Sequence, residues 1–342
     1  MAASLPLAAT LVAPLDALRR AVLRPFAPWL GRWFRDRAMR VALAGTLSVT
    51  VSLALTASWP LWLMALGPLV MGAAHLACDA RYLVVRQSLH RRAAVMALVV
   101  APALVASWRP SLVWVLAPAL GAALVARGAV VSRVMVALVA VAVFVVARAH
   151  ESLAWVVIAH AHHVVALVAW WWWCRSPKGP RVAVVLAVIV GFALIFSGAL
   201  DSIALRAAAL RAPGRGIDFE TLTATLSPVD AWREPIVAAR WVLAFAFGQS
   251  VHYGLWLRLI PEEDREREAP RTFAGSAVAA TRDLGGAGVW LTVLATVALV
   301  AWAVGDISAA RGAYLRIAAG HGGVELGALA LLACERGLRR EG

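Results

Sequence analysis

Six of the eight histidines of this 342-residue chain lie inside long apolar stretches, two of them with an acid one helical turn away. His75 and Asp79 occupy GAAHLACDARYLVVR, and His321 and Glu325 occupy LRIAAGHGGVELGALALL. Residues four apart share one face of a helix. Each pair can therefore present an imidazole and a carboxylate to one metal ion, or let the acid orient a ligating histidine. His160, His162 and His163 crowd into AWVVIAHAHHVVALVAWWWW, and His252 follows Gln249 in WVLAFAFGQSVHYGLWLRLIPEEDR. Asp201 closes another apolar stretch at its edge. Ionisable groups cost several kcal/mol in a bilayer, so they are rare there and mark functional sites. Imidazole and carboxylate are also common ligands of zinc, iron and copper.

These residue types give an expected metal set of His75, Asp79, His160, His163, His252, His321 and Glu325. His160 and His163 share a face; His162 points roughly 130° from their mean direction and is expected to turn elsewhere. Tyr82 extends the face of His75. Gln249 is placed to orient His252, and Tyr253 to supply a proton or hold a polar substrate tip. Gly320, Gly322 and Gly323 strip side chains from around His321 and are expected to leave an open wall for substrate. His90 and His150 flank arginine-rich helix ends and read as interfacial residues, with Glu151 set to pair with Arg148.

The elements that must position these groups follow from composition. The chain is 62% hydrophobic with a mean hydropathy of +0.78, and only 15% of it is charged, against about 25% for a soluble domain. It reads as an all-α, polytopic integral membrane bundle, multi-pass in the inner (cytoplasmic) membrane, with membrane lipids as its surroundings. Spanning helices need about 20 mostly apolar residues. Ten candidates meet or approach that length: 41–58, 61–85, 92–107, 111–126, 129–147, 153–174, 182–200, 235–260, 287–304 and 311–335. The third and fourth are short and could form a re-entrant hairpin instead.

The net charge of +14 is spread through short arginine-bearing segments, as in cytoplasmic loops. Arg81, Arg86, Arg91 and Arg92 follow the second stretch, and Arg127 the fourth. Arg175, Lys178 and Arg181 follow the sixth; Arg258, Arg265, Arg267, Arg271 and Arg282 follow the eighth; Arg336, Arg339 and Arg340 follow the tenth. Ten crossings with both termini cytoplasmic put them all on one side. No separate basic domain speaks for nucleic-acid binding. Residues 1–40 form a proline-interrupted, basic, amphipathic lead-in suited to the lipid interface. Residues 41–342 form one transmembrane domain, in which 201–234 is a periplasmic connector able to cap a site. Trp170 to Trp173 suit an interfacial belt. Cys78, Cys174 and Cys334 form no CxxC pair, so a disulfide framework or thiolate zinc site is not expected.

Histidines and acids bunched at one depth point to a membrane metalloenzyme. Non-haem iron acting on a lipophilic carotenoid, lipid or quinone is the leading expectation, with zinc or copper as alternative metals. The histidine-rich, all-helical layout is similar in kind to the membrane carotenoid dioxygenases of the Brp/Blh type, a likeness of layout and not of motif. A divalent-metal or proton transporter is the alternative, since such pathways use the same side chains. A b-type haem protein is the third reading. A zinc protease is the weakest, because no HExxH occurs.

Overall fold

Apolar runs broken by proline, glycine and arginine give a chain in which every element among the described residues is helical. The computed structural model describes residues 7–173, 178–209, 213–214, 216–265 and 269–335. Cys174, Arg175, Arg267, Arg336, Arg339 and Arg340 lie outside them. The elements are α1 (Leu7–Leu23), α2 (Ala27–Arg35), α3 (Arg37–Ser58), α4 (Pro60–Asp79), α5 (Ala93–Trp108), α6 (Leu112–Val125) and α7 (Val130–Ala149). There follow α8 (Glu151–Trp173), α9 (Lys178–Phe196), α10 (Asp201–Ala209), α11 (Phe219–Leu226), α12 (Pro235–Gly254), α13 (Phe273–Gly305) and α14 (Ile307–Glu335).

Each of the ten apolar stretches contains helix, and among the described residues seven helices are long and apolar enough to cross a membrane: α3, α4 with its extension to Val85, α7, α8, α9, α13 and α14. At 1.5 Å per residue, α5 and α6 reach only about 24 and 21 Å, short of a hydrocarbon core about 30 Å thick. α12 has 20 residues but carries Arg240, Gln249 and His252.

Surface chemistry suits a lipid solvent. Ala147 is the one buried residue of α7, which exposes Val131, Met135, Leu138, Val139 and Val146. α13 buries only Ala279 and exposes Leu291, Leu294 and Val297. Contiguous apolar faces of that extent are not left to water by a soluble monomer. α13 bends at Gly285, whose φ of 74° suits a residue without a side chain.

Of the four packed clusters among the described residues, the two largest meet at α14. One joins α3, α8, α9 and α12 through Val41, Trp170, Val184, Phe247 and Trp256; the other joins α5, α6 and α14 through Val99, Ala122 and Leu331. α14 enters both, with Ala328 in the first and Ala330 in the second. Arginine-carboxylate pairs tie helix ends together on the arginine-rich side. Arg40 meets Glu262 at 2.6 Å, Arg81 meets Asp283 at 2.7 Å and Arg86 meets Asp264 at 2.7 Å.

The lead-in exposes Leu7, Leu11, Leu15, Leu18 and Val22 along one side of α1. Its buried Asp16 accepts from the backbone N–H groups of Phe273 and Ala274 at 2.8 and 3.0 Å, so α1 is fastened to the start of α13. In the 201–234 connector α10 and α11 pack on the bundle. Asp201 pairs with Arg240 of α12 at 2.6 Å. Arg148 and Glu151 pair at 2.7 Å.

Candidate metal centre

Three helices far apart in sequence bring the central side chains together. α4 supplies His75, α12 supplies His252, and α14 supplies His321 and Glu325. One ligand-type atom from each lies within 4.8 Å of the others. α4 and α14 approach closely because Gly72 sits under Tyr314, where a β-carbon would come 2.2 Å from the ring. Both α4 and α12 run directly into wider π turns, Ala80–Val85 and Leu255–Leu259, recognisable by bonds such as Arg86 N–H to the Arg81 carbonyl at 2.8 Å. Such turns recur at functional sites.

The ligand atoms face one another with few competing partners. His75 Nε2 and His252 Nε2 are 2.7 Å apart, and His252 Nε2 stands 3.6 Å from Glu325 Oε1. The Nδ1 atoms of His75 and His252 are buried without a hydrogen bond. His321 Nδ1 bonds the Ala318 carbonyl. A carbonyl only accepts, so Nδ1 carries the proton and Nε2, buried and without a partner, presents its lone pair. Glu325 is fully buried, and Trp256 Nε1 donates to its Oε1 at 2.8 Å. A buried carboxylate with so little donor support suits a cation beside it. The donor set of three imidazoles and one carboxylate fits a transition metal held by hard and borderline ligands.

Other expected ligands stand elsewhere. Asp79 lies beyond His75, its Oδ2 at 3.4 Å from His75 Nε2, and both of its buried oxygens lack hydrogen bonds. It borders the group without entering it. His160 is not brought to the group. Its Nε2 donates to the Leu226 carbonyl of α11 at 2.9 Å, and its ring packs on Trp241 and Phe245. His163 is buried beside Phe245 with its ring 5.7 Å from that of His252, so it flanks the group.

His162 corrects the helical-face expectation. Its ring lies 4.4 Å from that of His252 and 4.5 Å from that of His321, and its Nδ1 is 2.9 Å from Glu325 Oε2. The reason is geometric. α8 runs beside both α12 and α14, so His160 and His163 face α12 while His162, 100° round the helix from His163, faces α14. His160 also sits a turn nearer the connector.

The expected helper residues divide similarly. Gln249 does not orient His252; it donates through Nε2 to the Tyr253 hydroxyl at 3.0 Å. The Tyr253 ring packs edge-on against His75 at 5.2 Å, and its hydroxyl is also bonded to Tyr314. Tyr82 lies under Arg81 in the hydrophobic core, on the arginine-rich side of Asp79 and away from the histidines. Trp256, which the spacing places on a face adjoining His252, and Tyr314, which histidine counting passes over, complete the site. Their signal is spacing: Trp256 is four after His252, and Tyr314 is seven before His321.

The open wall at the glycines is also corrected. A β-carbon on Gly320 would fall 2.1 Å from the Ala103 carbonyl, and one on Gly323 would touch Ala103 and Pro118 at 3.3 Å. These two glycines seat α14 on α5 and α6. Only Gly322 borders the centre, where a β-carbon would come 3.3 Å from His162 Nδ1.

Comparisons with family models, with curated proteins and with solved structures each find no match to the chain.

Proposed function

We propose that this protein is an integral membrane metalloenzyme that binds iron at His75, His252, His321 and Glu325 and oxidises or oxygenates a lipophilic substrate such as a carotenoid, lipid or quinone. In this reading all ten stretches cross the inner (cytoplasmic) membrane, α5 and α6 by way of a locally narrowed span, and both termini are cytoplasmic. The observation that carries it is the convergence of four ligand-type side chains, within 4.8 Å, from helices separated by up to 250 residues of sequence (75 to 325). Bound iron would supply electron-transfer and dioxygen chemistry there. The chain's part is to hold it, with Trp256 fixing the carboxylate and the Ala318 carbonyl fixing the His321 tautomer.

A lipophilic substrate is supported by the apolar exterior and by a groove of about 370 Å³ on α6, α7 and α14. Its wall includes Leu326, the residue after Glu325, and Leu329. Glu325 and Asp79 beside the histidines favour a non-haem metal over the haem reading, since haem ligation needs no acid.

The test is metal analysis and an optical spectrum of detergent-purified protein, followed by oxygen uptake with lipophilic substrates. Stoichiometric iron without a Soret band, and substrate-dependent oxygen uptake abolished in His75→Ala, are the expected results. No bound metal refutes the centre. Metal flux in proteoliposomes that His75→Ala abolishes decides for transport.

A further inference from the structure

Glu325 turns its two oxygens to two different histidine groups. Oε1 faces His252 Nε2 at 3.6 Å and accepts from Trp256. Oε2 faces His162 Nδ1 at 2.9 Å. The second pair is spaced as an ion pair but lacks the angles of a hydrogen bond, and neither buried atom has another hydrogen-bond partner. Two ligand atoms on one ion, each about 2.0–2.2 Å from it, stand about 3–3.4 Å from each other. The His162–Glu325 contact thus has a separation close to that of neighbouring ligands and the partner deficit of atoms awaiting a cation.

From this geometry we infer that the centre holds two metal ions bridged by Glu325. The first ion takes His75, His252, His321 and Glu325 Oε1, and the second takes His162 Nδ1 and Glu325 Oε2. The inference rests on the one-ion reading above and adds a second site to it. A bridging carboxylate suits ions about 3.5–4 Å apart. The rings agree with such closeness: His162 lies 4.4 Å from His252 and 4.5 Å from His321, centre to centre. His163, with its ring 5.4 Å from that of His162, is the nearest further imidazole on α8. With few protein ligands, the second ion keeps positions open on the side where His162 is partly exposed, its side chain 18% accessible. That is where a small oxidant or a polar substrate group would reach it.

The experiment uses the full chain in detergent, stripped and reloaded with Mn(II), with metal counted by mass spectrometry and electron spin resonance recorded. Wild type should bind about two ions per chain and show spin coupling in place of the isolated Mn(II) sextet. His162→Ala should bind one ion and show the sextet. His160→Ala, altered at a histidine turned to the connector, should keep both ions and the coupling. A wild type with one ion and a sextet overturns the second site and leaves the first standing. A wild type with no ion overturns both. A His162→Ala protein that still holds two coupled ions overturns the assignment to His162. Should that variant fail to fold, the wild-type count and spectrum decide alone.

Discussion

Replacing Glu325 by glutamine separates a metal ligand from a structural acid, because the two roles predict opposite signs. The side chain is fully buried, accepts one hydrogen bond from Trp256 at 2.8 Å, and holds Oε2 against His162 Nδ1 at 2.9 Å with no donor. Glutamine keeps the shape and can still accept from Trp256. It removes the charge and puts either an amide nitrogen or a weaker oxygen donor at the metal. Without metal, the wild type buries a carboxyl oxygen that has no hydrogen bond; replacing a buried charged group by a neutral one is often neutral or stabilising by about 1 kcal/mol or more, so the apo variant should be at least as stable.

With metal the order reverses. Residues that merely support ligands change metal affinity about 10–100-fold, so loss of an anionic ligand should cost at least about 100-fold. At a free metal concentration of about 100 times the wild-type Kd, binding stabilises the wild type by about 2.7 kcal/mol. A Kd raised about 100-fold leaves the variant only about 0.4 kcal/mol under the same condition. The assay is thermal unfolding in detergent, with and without Mn(II), for both proteins. A Glu325→Gln protein that retains the full metal-induced rise in Tm would refute Glu325 as a ligand. One destabilised equally with and without metal would show a packing role instead.

Other substitutions test the neighbouring assignments. His321→Ala should lower metal affinity at least about tenfold while His160→Ala leaves it unchanged, read by competition with a chelator; equal losses would contradict the placement of His160 on the Leu226 carbonyl. Gly320→Leu should prevent α14 from seating, since even its β-carbon would lie 2.1 Å from the Ala103 carbonyl; a wild-type gel-filtration profile and Tm would contradict that contact. Asp218 caps α11 by accepting from Thr221 N–H at 2.8 Å, and that bond holds its carboxyl below the ordinary range. A lowered folded-state pKa gives stability that is present above the unfolded value of about 3.9 and is lost as pH falls through the folded value. Asp218→Ala should therefore loosen α11 by about 1 kcal/mol near neutral pH and much less in acid, measured by hydrogen exchange of the α11 amides; a loss independent of pH would exclude the charged cap.

Helix positions were legible because the apolar runs are long and their breaks are chemical: Pro60, Arg92, Pro110, Ser111 and Pro235 all fall at or beside helix starts. The pattern also bounded α5 and α6, whose expected stretches 92–107 and 111–126 come within a residue of Ala93–Trp108 and Leu112–Val125, both short of a full span. The convergence of His75, His252 and His321 was also readable, as mid-helix imidazoles at similar depth have few other places to go. The choice among His160, His162 and His163 was not. Helical phase fixes the angles between them, but which angle faces the centre depends on which two helices α8 contacts.

The same distinction explains the glycines and Gln249. Gly320, Gly322 and Gly323 signal only that something approaches α14 closely; the structure makes it the Ala103 carbonyl, Pro118 and the His162 ring. Gln249 lies three residues from His252 and four from Tyr253, and both neighbours are within helical reach. It bonds the tyrosine hydroxyl, which leaves His252 Nδ1 with no donor or acceptor to fix its tautomer. His321 is fixed by Ala318, whereas His75 and His252 are not fixed through Nδ1. Their facing Nε2 atoms, 2.7 Å apart, can share one proton when no metal is bound. Metal entry needs both Nε2 lone pairs, so that proton must move to the Nδ1 of its own ring, a change of tautomer with no net proton released.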